Sequence, residues 1–83
     1  MRTKQLIQGL NNTQKIRFMI NGFGMYCQVQ DVVNICTTDY RAPVWMALDR
    51  LGNENFVAKY QGKPPISGYG ARICGYDVQV DLV

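Results

Sequence analysis

The chain has 83 residues, of which 47% are hydrophobic and 18% charged, and its formal net charge is +3. This composition is typical of one small globular domain and excludes the low-hydrophobicity, high-charge signature of a disordered chain. No apolar run of about 18 residues is present for a membrane span, and the segment "MRTKQLIQGL" lacks the apolar core of a signal peptide. We therefore expect a cytoplasmic protein that does not contact membranes.

Residue types that carry catalysis or bind metals are scarce. The chain has no histidine, and its three cysteines, Cys27, Cys36 and Cys74, are far apart. Neither a closed disulfide framework nor zinc-ligand spacing is available, and no base stands near the single serine, Ser67. The sequence predicts a non-enzymatic protein without cofactor or metal, in which the cysteines are reduced and mostly buried.

The first predicted element is a helix in "NNTQKIRFMING". Asn12 or Thr13 suits the N-cap position, while Ile16, Met19 and Ile20 follow the spacing of an amphipathic helix up to the closing glycine. An alternating β-strand over "KIRFMI" is the competing interpretation. The two interpretations place different side chains in the core.

A short helix and a tight turn are predicted next. After the β-prone piece "MYCQV", the segment "QDVVNIC" has Val32, Val33 and Cys36 at helical spacing, which predicts about two helical turns. In "TTDYRAP", the Thr and Asp residues suit an N-cap, and the proline is tolerated in a first helical turn. This break therefore predicts a sharp turn from one helix into another.

The third predicted helix has the clearest apolar pattern. Val44, Ala47, Leu48 and Leu51 repeat at helical spacing, and Gly52 is expected to end the helix. These four apolar side chains are expected to form the centre of the core.

Beyond that helix, the pattern changes to a period of two residues. The segments "NFVAKYQ" and "ARICGYDVQVDLV" are predicted strands, and "GKPPISGYG" is a Gly- and Pro-rich loop between them. One face of the second strand would carry Cys74, Tyr76, Val78, Val80 and Leu82. The sequence thus predicts a β-hairpin with a wide tip.

This order of elements resembles the winged helix-turn-helix family. The segment "VQDVVNICTTDYRAPVWMALDRLGNENFV" is similar to the family's second helix, turn and third helix, and "VAKYQGKPPISGYGARICGY" is similar to its wing, so that the resemblance covers about residues 13–76. It implies an α+β fold with a three-helix core and a C-terminal β-hairpin wing. Within a single domain, 1–83, it implies an N-terminal extension (1–12), a helical core (13–52) and a wing hairpin (55–83).

The resemblance implies a small DNA-binding regulator of prokaryotic or phage type. Helix 41–51 would enter the major groove, and the wing at 61–71 would lie on adjacent backbone or minor groove. The basic side chains would contact phosphates. The expected DNA-binding residues are Thr38, Tyr40, Arg41, Trp45, Arg50, Lys59, Lys63 and Arg72.

The outward face of the third predicted helix departs from the family's pattern. Trp45 and Met46 offer few hydrogen bonds to base edges, and Asp49 repels phosphate. Trp45 either packs against the N-terminal segment or the wing, or forms a protein-binding patch with Met46. The alternative function is therefore a winged-helix protein-interaction module or inhibitor.

Double-stranded DNA is the leading expected partner, and a protein or a second copy of the chain are the others. Regulators of this size often act as symmetric dimers on DNA. The first ten residues, which include Leu6 and Ile7, could form an extra helix or a dimer arm, and strand 76–83 is a second candidate surface.

Overall fold

A four-stranded antiparallel sheet organises the domain in a computed structural model that describes residues 9–36 and 38–83. The strands run across the sheet in the order β2-β1-β4-β3. In chain order they are β1 (Lys15–Ile20), β2 (Phe23–Gln28), β3 (Gly68–Ile73) and β4 (Tyr76–Leu82).

All of the described helical structure lies between β2 and β3. A 3₁₀ turn (Val29–Asp31) leads into the four-residue helix α1 (Val32–Ile35), and the 23-residue helix α2 (Thr38–Tyr60) follows. Thr37, one of the expected N-cap residues, and residues 1–8, which hold most of the expected N-terminal arm, lie outside the described residues.

Strand β1 occupies the segment for which a first helix was predicted, and that prediction is wrong. Ile16, Phe18 and Ile20 are at most 2% exposed, and the residues between them are only partly buried. This alternation has the period of a strand with one face in the core. The chain then reverses at Asn21 and Gly22, whose φ angles of 49° and 87° are those of a type I′ hairpin turn.

The second hairpin also differs from the predicted wing. The segment "ARICGYDVQVDLV" is not one strand, because Cys74 and Gly75 have φ angles of 54° and 83° and turn the chain from β3 into β4. The segment "NFVAKYQ", which was expected to be the partner strand, lies almost wholly in α2. The hairpin is therefore narrower and begins later in the chain than the resemblance implied.

Pairing between β1 and β4 joins the two hairpins into one sheet. Phe18 lies opposite Val80, and Ile20 lies opposite Val78. These four side chains share the inner face of the sheet, which packs against the helices, and each is at most 3% exposed. The alternate residues of each strand form the outer face.

Helix α2 is longer than predicted because Gly52 does not end it. Gly52 is buried in the middle of the helix, and the backbone of Gly9 lies against it. A Cβ atom on Gly9 would overlap the carbonyl oxygen of Gly52. Gly52 thus allows two backbone segments to pack closely, and the helix continues past it to Tyr60.

The core centres on the apolar face of α2 that the sequence predicted. Val44, Ala47, Leu48 and Leu51 are each fully buried, which confirms the phase of this helix. They pack against the inner face of the sheet, with further apolar side chains from the 3₁₀ turn, from α1 and from the residue that follows it: Val29, Val32 and Cys36.

The chain is thus a small α+β domain, but the predicted winged helix-turn-helix fold is wrong. In the described residues there are two α-helices, of which α1 is a single turn of four residues, and four strands form one sheet. Within these described residues, a three-helix core is not seen, and no pair of full-length helices is available to form a helix-turn-helix.

Replacement of Leu48 by Ala tests the packing of α2 on the sheet. The side chain is fully buried, so its truncation should lower the free energy of unfolding by about 2–5 kcal/mol, as measured by chemical denaturation. Met46→Ala is the matched control, because Met46 is 46% exposed on the same helix, and its cost should stay within about 0.5 kcal/mol. Equal costs for the two variants would show that α2 is rotated relative to this structure.

Candidate nucleic-acid interface

The residues expected to bind DNA lie at several separate places on the domain. Thr38 is the first residue of α2, and Arg41 lies in the same first turn, whereas Lys59 lies in the last turn and Lys63 follows it. Because an α-helix rises about 1.5 Å per residue, Arg41 and Lys59 are about 27 Å apart along the axis. These residues cannot form one compact patch.

The aromatic members of the expected set have packing roles. Tyr40 contacts Tyr76 edge to face, with ring centroids 5.2 Å apart. Trp45 is half-buried and packs against the core, whereas its neighbour Met46 is exposed. Part of the Trp45 side chain is therefore packed within the domain.

Two of the expected arginines make weak internal contacts along α2. Arg41 Nη2 lies 3.5 Å from the carbonyl oxygen of Cys36, and Arg50 Nη1 lies 3.5 Å from the hydroxyl oxygen of Tyr69. Both distances are at the long limit for a hydrogen bond, so these contacts hold the guanidinium groups only loosely.

The exposed surface of α2 has no excess of positive charge. Its basic residues are matched one for one by acidic residues along the same helix: Arg41, Arg50 and Lys59 against Asp39, Asp49 and Glu54. A helix with this balance attracts a phosphate backbone weakly, because opposite charges within a Debye length of about 8–10 Å offset one another. The helix as a whole is therefore a poor recognition surface for DNA.

The outer face of the sheet is also largely neutralised. Arg72, the remaining member of the expected set, lies there and pairs with Asp77 at 3.2 Å. Arg17 pairs with Asp81 at 2.7 Å, and Asp81 in turn accepts a hydrogen bond from Gln79. These pairings leave little positive charge on the outer face for a polyanion.

A cleft of about 1200 Å³ lies beside the C-terminal end of α2. One wall is the last turns of the helix and the loop after it, and the other is the segment that leads into β1 together with the end of β4. The described residues that line the cleft are Gly9, Leu10, Asn11, Gln14, Asn55, Phe56, Lys59, Tyr60, Gly62, Lys63, Pro65 and Leu82.

The end of α2 brings Lys59 and Lys63 to the same cleft. Gly62, with φ +74°, reverses the chain just after the helix. The N–H of Gly62 donates to the carbonyl of Lys59 at 3.1 Å, and the N–H of Lys63 donates to that of Ala58 at 2.8 Å. This is the hydrogen-bond pattern of a Schellman motif, and it returns Lys63 to the side of the last helical turn.

The cleft carries positive charge on balance. Among its described lining residues there is no Asp or Glu. Glu54, about 7.5 Å from Lys59 along the helix axis, lies outside the lining and offsets part of one lysine's charge. The C-terminal end of a helix contributes a partial charge of only about −0.5, which two lysines outweigh. A bound anion would therefore be attracted to this end of the domain.

Two aromatic side chains line the cleft beside the lysines. Phe56 and Tyr60 are one helical turn apart and are 45% and 87% exposed. Neither is among the residues that the sequence predicts to bind DNA, because "NFVAKYQ" has the pattern of a strand. The spacing of Phe56, Lys59, Tyr60 and Lys63 at three and four residues is a helical signal that would have grouped them.

Asn55 fixes the loop that carries Lys63. This side chain is 8% exposed, and its Oδ1 accepts a hydrogen bond from the backbone N–H of Ile66. The bond joins the last turns of α2 to the loop at residues 61–67. Asn55 thus holds the loop that forms part of the cleft wall. No pattern in the sequence indicated this role.

The three cysteine thiols differ in burial. Burial raises the pKa of the Cys27 thiol to about 11, and nearby Asp31 and Cys36 add to the effect. Burial also raises the pKa of the Cys36 thiol, whereas Cys74 is exposed. No group of three His, Cys, Asp or Glu side chains in residues 9–36 and 38–83 is arranged to hold a metal ion.

Comparison with known proteins adds no family assignment. No family model matches the chain, and no curated protein or solved structure matches it significantly. Neither of the described helices combines the length and the hydropathy needed to cross a membrane.

Replacement of Asn55 by Ala tests its role at the cleft. The N–H of Ile66 would lose its partner in a partly buried position, which should cost about 1–3 kcal/mol of unfolding free energy. Amide hydrogen exchange should also become faster in the loop at 61–67. Asn53→Ala is the control, because Asn53 is exposed on the same helix. If exchange in the loop is as slow in Asn55→Ala as in Asn53→Ala, this hydrogen bond does not hold the loop.

Proposed function

We propose that the chain is a non-enzymatic DNA-binding protein that contacts DNA through the cleft at the C-terminal end of α2. One observation carries this proposal: Lys59 and Lys63 line the cleft together with Phe56 and Tyr60, and no acidic residue is among its described lining residues. Positive charge next to exposed aromatic rings is the combination that single-stranded nucleic-acid sites use.

The lysines would supply most of the affinity by contacting phosphates. Each phosphate that a cationic side chain neutralises releases a condensed counterion, so binding weakens as the salt concentration rises. Lysines bind phosphate as point charges and do not demand a particular base sequence. The proposal therefore includes weak sequence preference at this site.

The aromatic rings favour a strand whose bases are unpaired. Stacking of a base on an aromatic ring contributes about 1–3 kcal/mol, and it requires a base that is free to leave its neighbours. Tyr60, which is 87% exposed, offers the more accessible ring. Double-stranded DNA, the partner expected from the sequence, has the same phosphates but keeps its bases stacked. We therefore propose tighter binding to single-stranded DNA.

A regulatory role in the cytoplasm, as expected from the sequence, is part of this proposal. The alternative, a protein-binding module that uses Trp45 and Met46, has less support. Trp45 packs against the core, so only Met46 is fully available as an apolar anchor. Interface hot spots usually combine several buried anchors, and aromatic side chains are prominent among them.

The double variant Lys59→Ala/Lys63→Ala tests the proposed site. It should weaken binding to labelled oligonucleotides of every sequence, because the lost contacts are to phosphates. In fluorescence anisotropy at two salt concentrations, the magnitude of the negative slope of log K against log salt should decrease by about 1.4 for single strands, because each lost phosphate contact removes about 0.7.

The control is Lys15→Ala/Arg41→Ala, which removes the same two positive charges. Both residues are exposed and neither lines the cleft, so the control should keep most of the affinity and of the salt slope. If both double variants lose the same DNA affinity, binding depends on net charge and not on the cleft. A larger loss in the control would favour the end of α2 that carries Arg41, as the sequence first suggested.

A further inference from the structure

The two edges of the sheet differ in how well they are protected from pairing with another chain. Strand β4, which was expected to offer a dimer surface, is paired on both sides, with β1 and with β3. The edges are therefore β2 and β3. Within residues 9–36 and 38–83, no strand pairs with the outer side of either one. Exposed edges of this kind are templates for a further strand.

Strand β2 lacks the usual devices that block pairing. Its sequence, "FGMYCQ", contains no charged residue and no proline. The opposite edge, β3, carries Arg72 together with two glycines. Charge and weak strand propensity both discourage edge pairing, so β2 is the more competent edge.

The turn geometry shows which backbone groups of β2 are available. In a two-residue hairpin, the residues that flank the turn exchange hydrogen bonds, and this pairing then alternates along the strand. Phe23, Met25 and Cys27 lie opposite residues of β1 in these positions. The N–H and C=O groups of Gly24 and Tyr26 therefore point away from the sheet.

These outward groups fit a second copy of the same strand. With a two-fold axis at Met25, Gly24 of each copy would lie opposite Tyr26 of the other and exchange hydrogen bonds with it. Tyr26 is 68% exposed, and the space beside Gly24 is bounded mainly by the flexible side chain of Met19. An aromatic ring opposite an edge glycine is a stabilising cross-strand arrangement.

In the same register, the side chains on the inner face of the two β2 strands are also complementary. Phe23 of one copy would lie opposite Cys27 of the other, and Met25 would lie opposite its own copy. Phe23 is 59% exposed although it lies on the face that packs against the helices. Both faces of the paired strands would therefore bury apolar or aromatic surface.

We propose that the chain forms a symmetric dimer through antiparallel pairing of two β2 strands, which joins two sheets into one of eight strands. This inference does not depend on the proposed DNA-binding function. The contact consists of one pair of six-residue strands, which is small for a protein interface, so we expect a weak dimer that dissociates on dilution.

The proposed dimer can be tested by sedimentation velocity, which measures the monomer–dimer equilibrium over a range of protein concentrations. Tyr26→Lys is the test variant. The wild-type chain should shift from monomer to dimer, and Tyr26→Lys should raise the dissociation constant at least about tenfold, because the symmetric pair loses the contact twice. Tyr60→Lys, which makes the same change at another exposed tyrosine, should dimerise as the wild type does. Circular dichroism checks that both variants are folded.

A cross-linking variant tests the register directly. Met25 residues at the two-fold axis would form a non-hydrogen-bonded pair with Cα atoms about 4.5 Å apart. With oxidised glutathione added as the oxidant, Met25→Cys should therefore form an intermolecular disulfide between the two introduced cysteines. Mass spectrometry of the oxidised dimer identifies the linked residues. A wild-type chain that stays monomeric, a dimer that survives Tyr26→Lys, or cross-links through Cys74 alone would each overturn the proposal.

Discussion

Pairing between β1 and β4 is the interaction on which the rest of the domain depends. Each hairpin is local and could close at its own two-residue turn, but two isolated hairpins would each be marginal in water. The register that places Phe18 opposite Val80 joins them and creates one apolar face wide enough for α2. Because this contact spans more than half of the chain, the loss of entropy on closing it must be offset by the core that it completes.

The position of the cleft follows from that sheet. Helix α2 has 23 residues and is about 34 Å long, whereas strands of six or seven residues span only about 20–23 Å. The helix is therefore longer than the strands by about 11–14 Å. Its last turns, which carry Phe56, Lys59 and Tyr60, form one side of the cleft. The same length separates this end from Arg41, so the positive charges of the helix cannot act together.

The sequence predicted the core face of α2 and the α+β class, but not the arrangement of the elements. Ile16 and Ile20 suit either a helix or a strand, and the deciding signal was the Asn-Gly pair that follows them, which favours a type I′ turn. A glycine such as Gly52 is typical of a helix end. In this structure it lies inside the helix and allows the backbone of Gly9, which is distant in sequence, to pack closely against it. The cleft was not predicted because "NFVAKYQ" was expected to be a strand, and Phe56 and Tyr60 lie on one side of this segment only if it is helical. Lys59 and Lys63 were predicted for their charge alone.

The most direct test of the proposed function is a map of the DNA contact by nuclear magnetic resonance. Titration of isotopically labelled protein with a short single-stranded oligonucleotide should shift the amide signals of residues 55–63 and of the segment 9–14 across the cleft. The signals of the first turn of α2 and of the outer face of the sheet should change little. Shifts centred on Arg41 and its neighbours, or on the outer face of the sheet, would contradict the claim that the C-terminal end of α2 is the binding site.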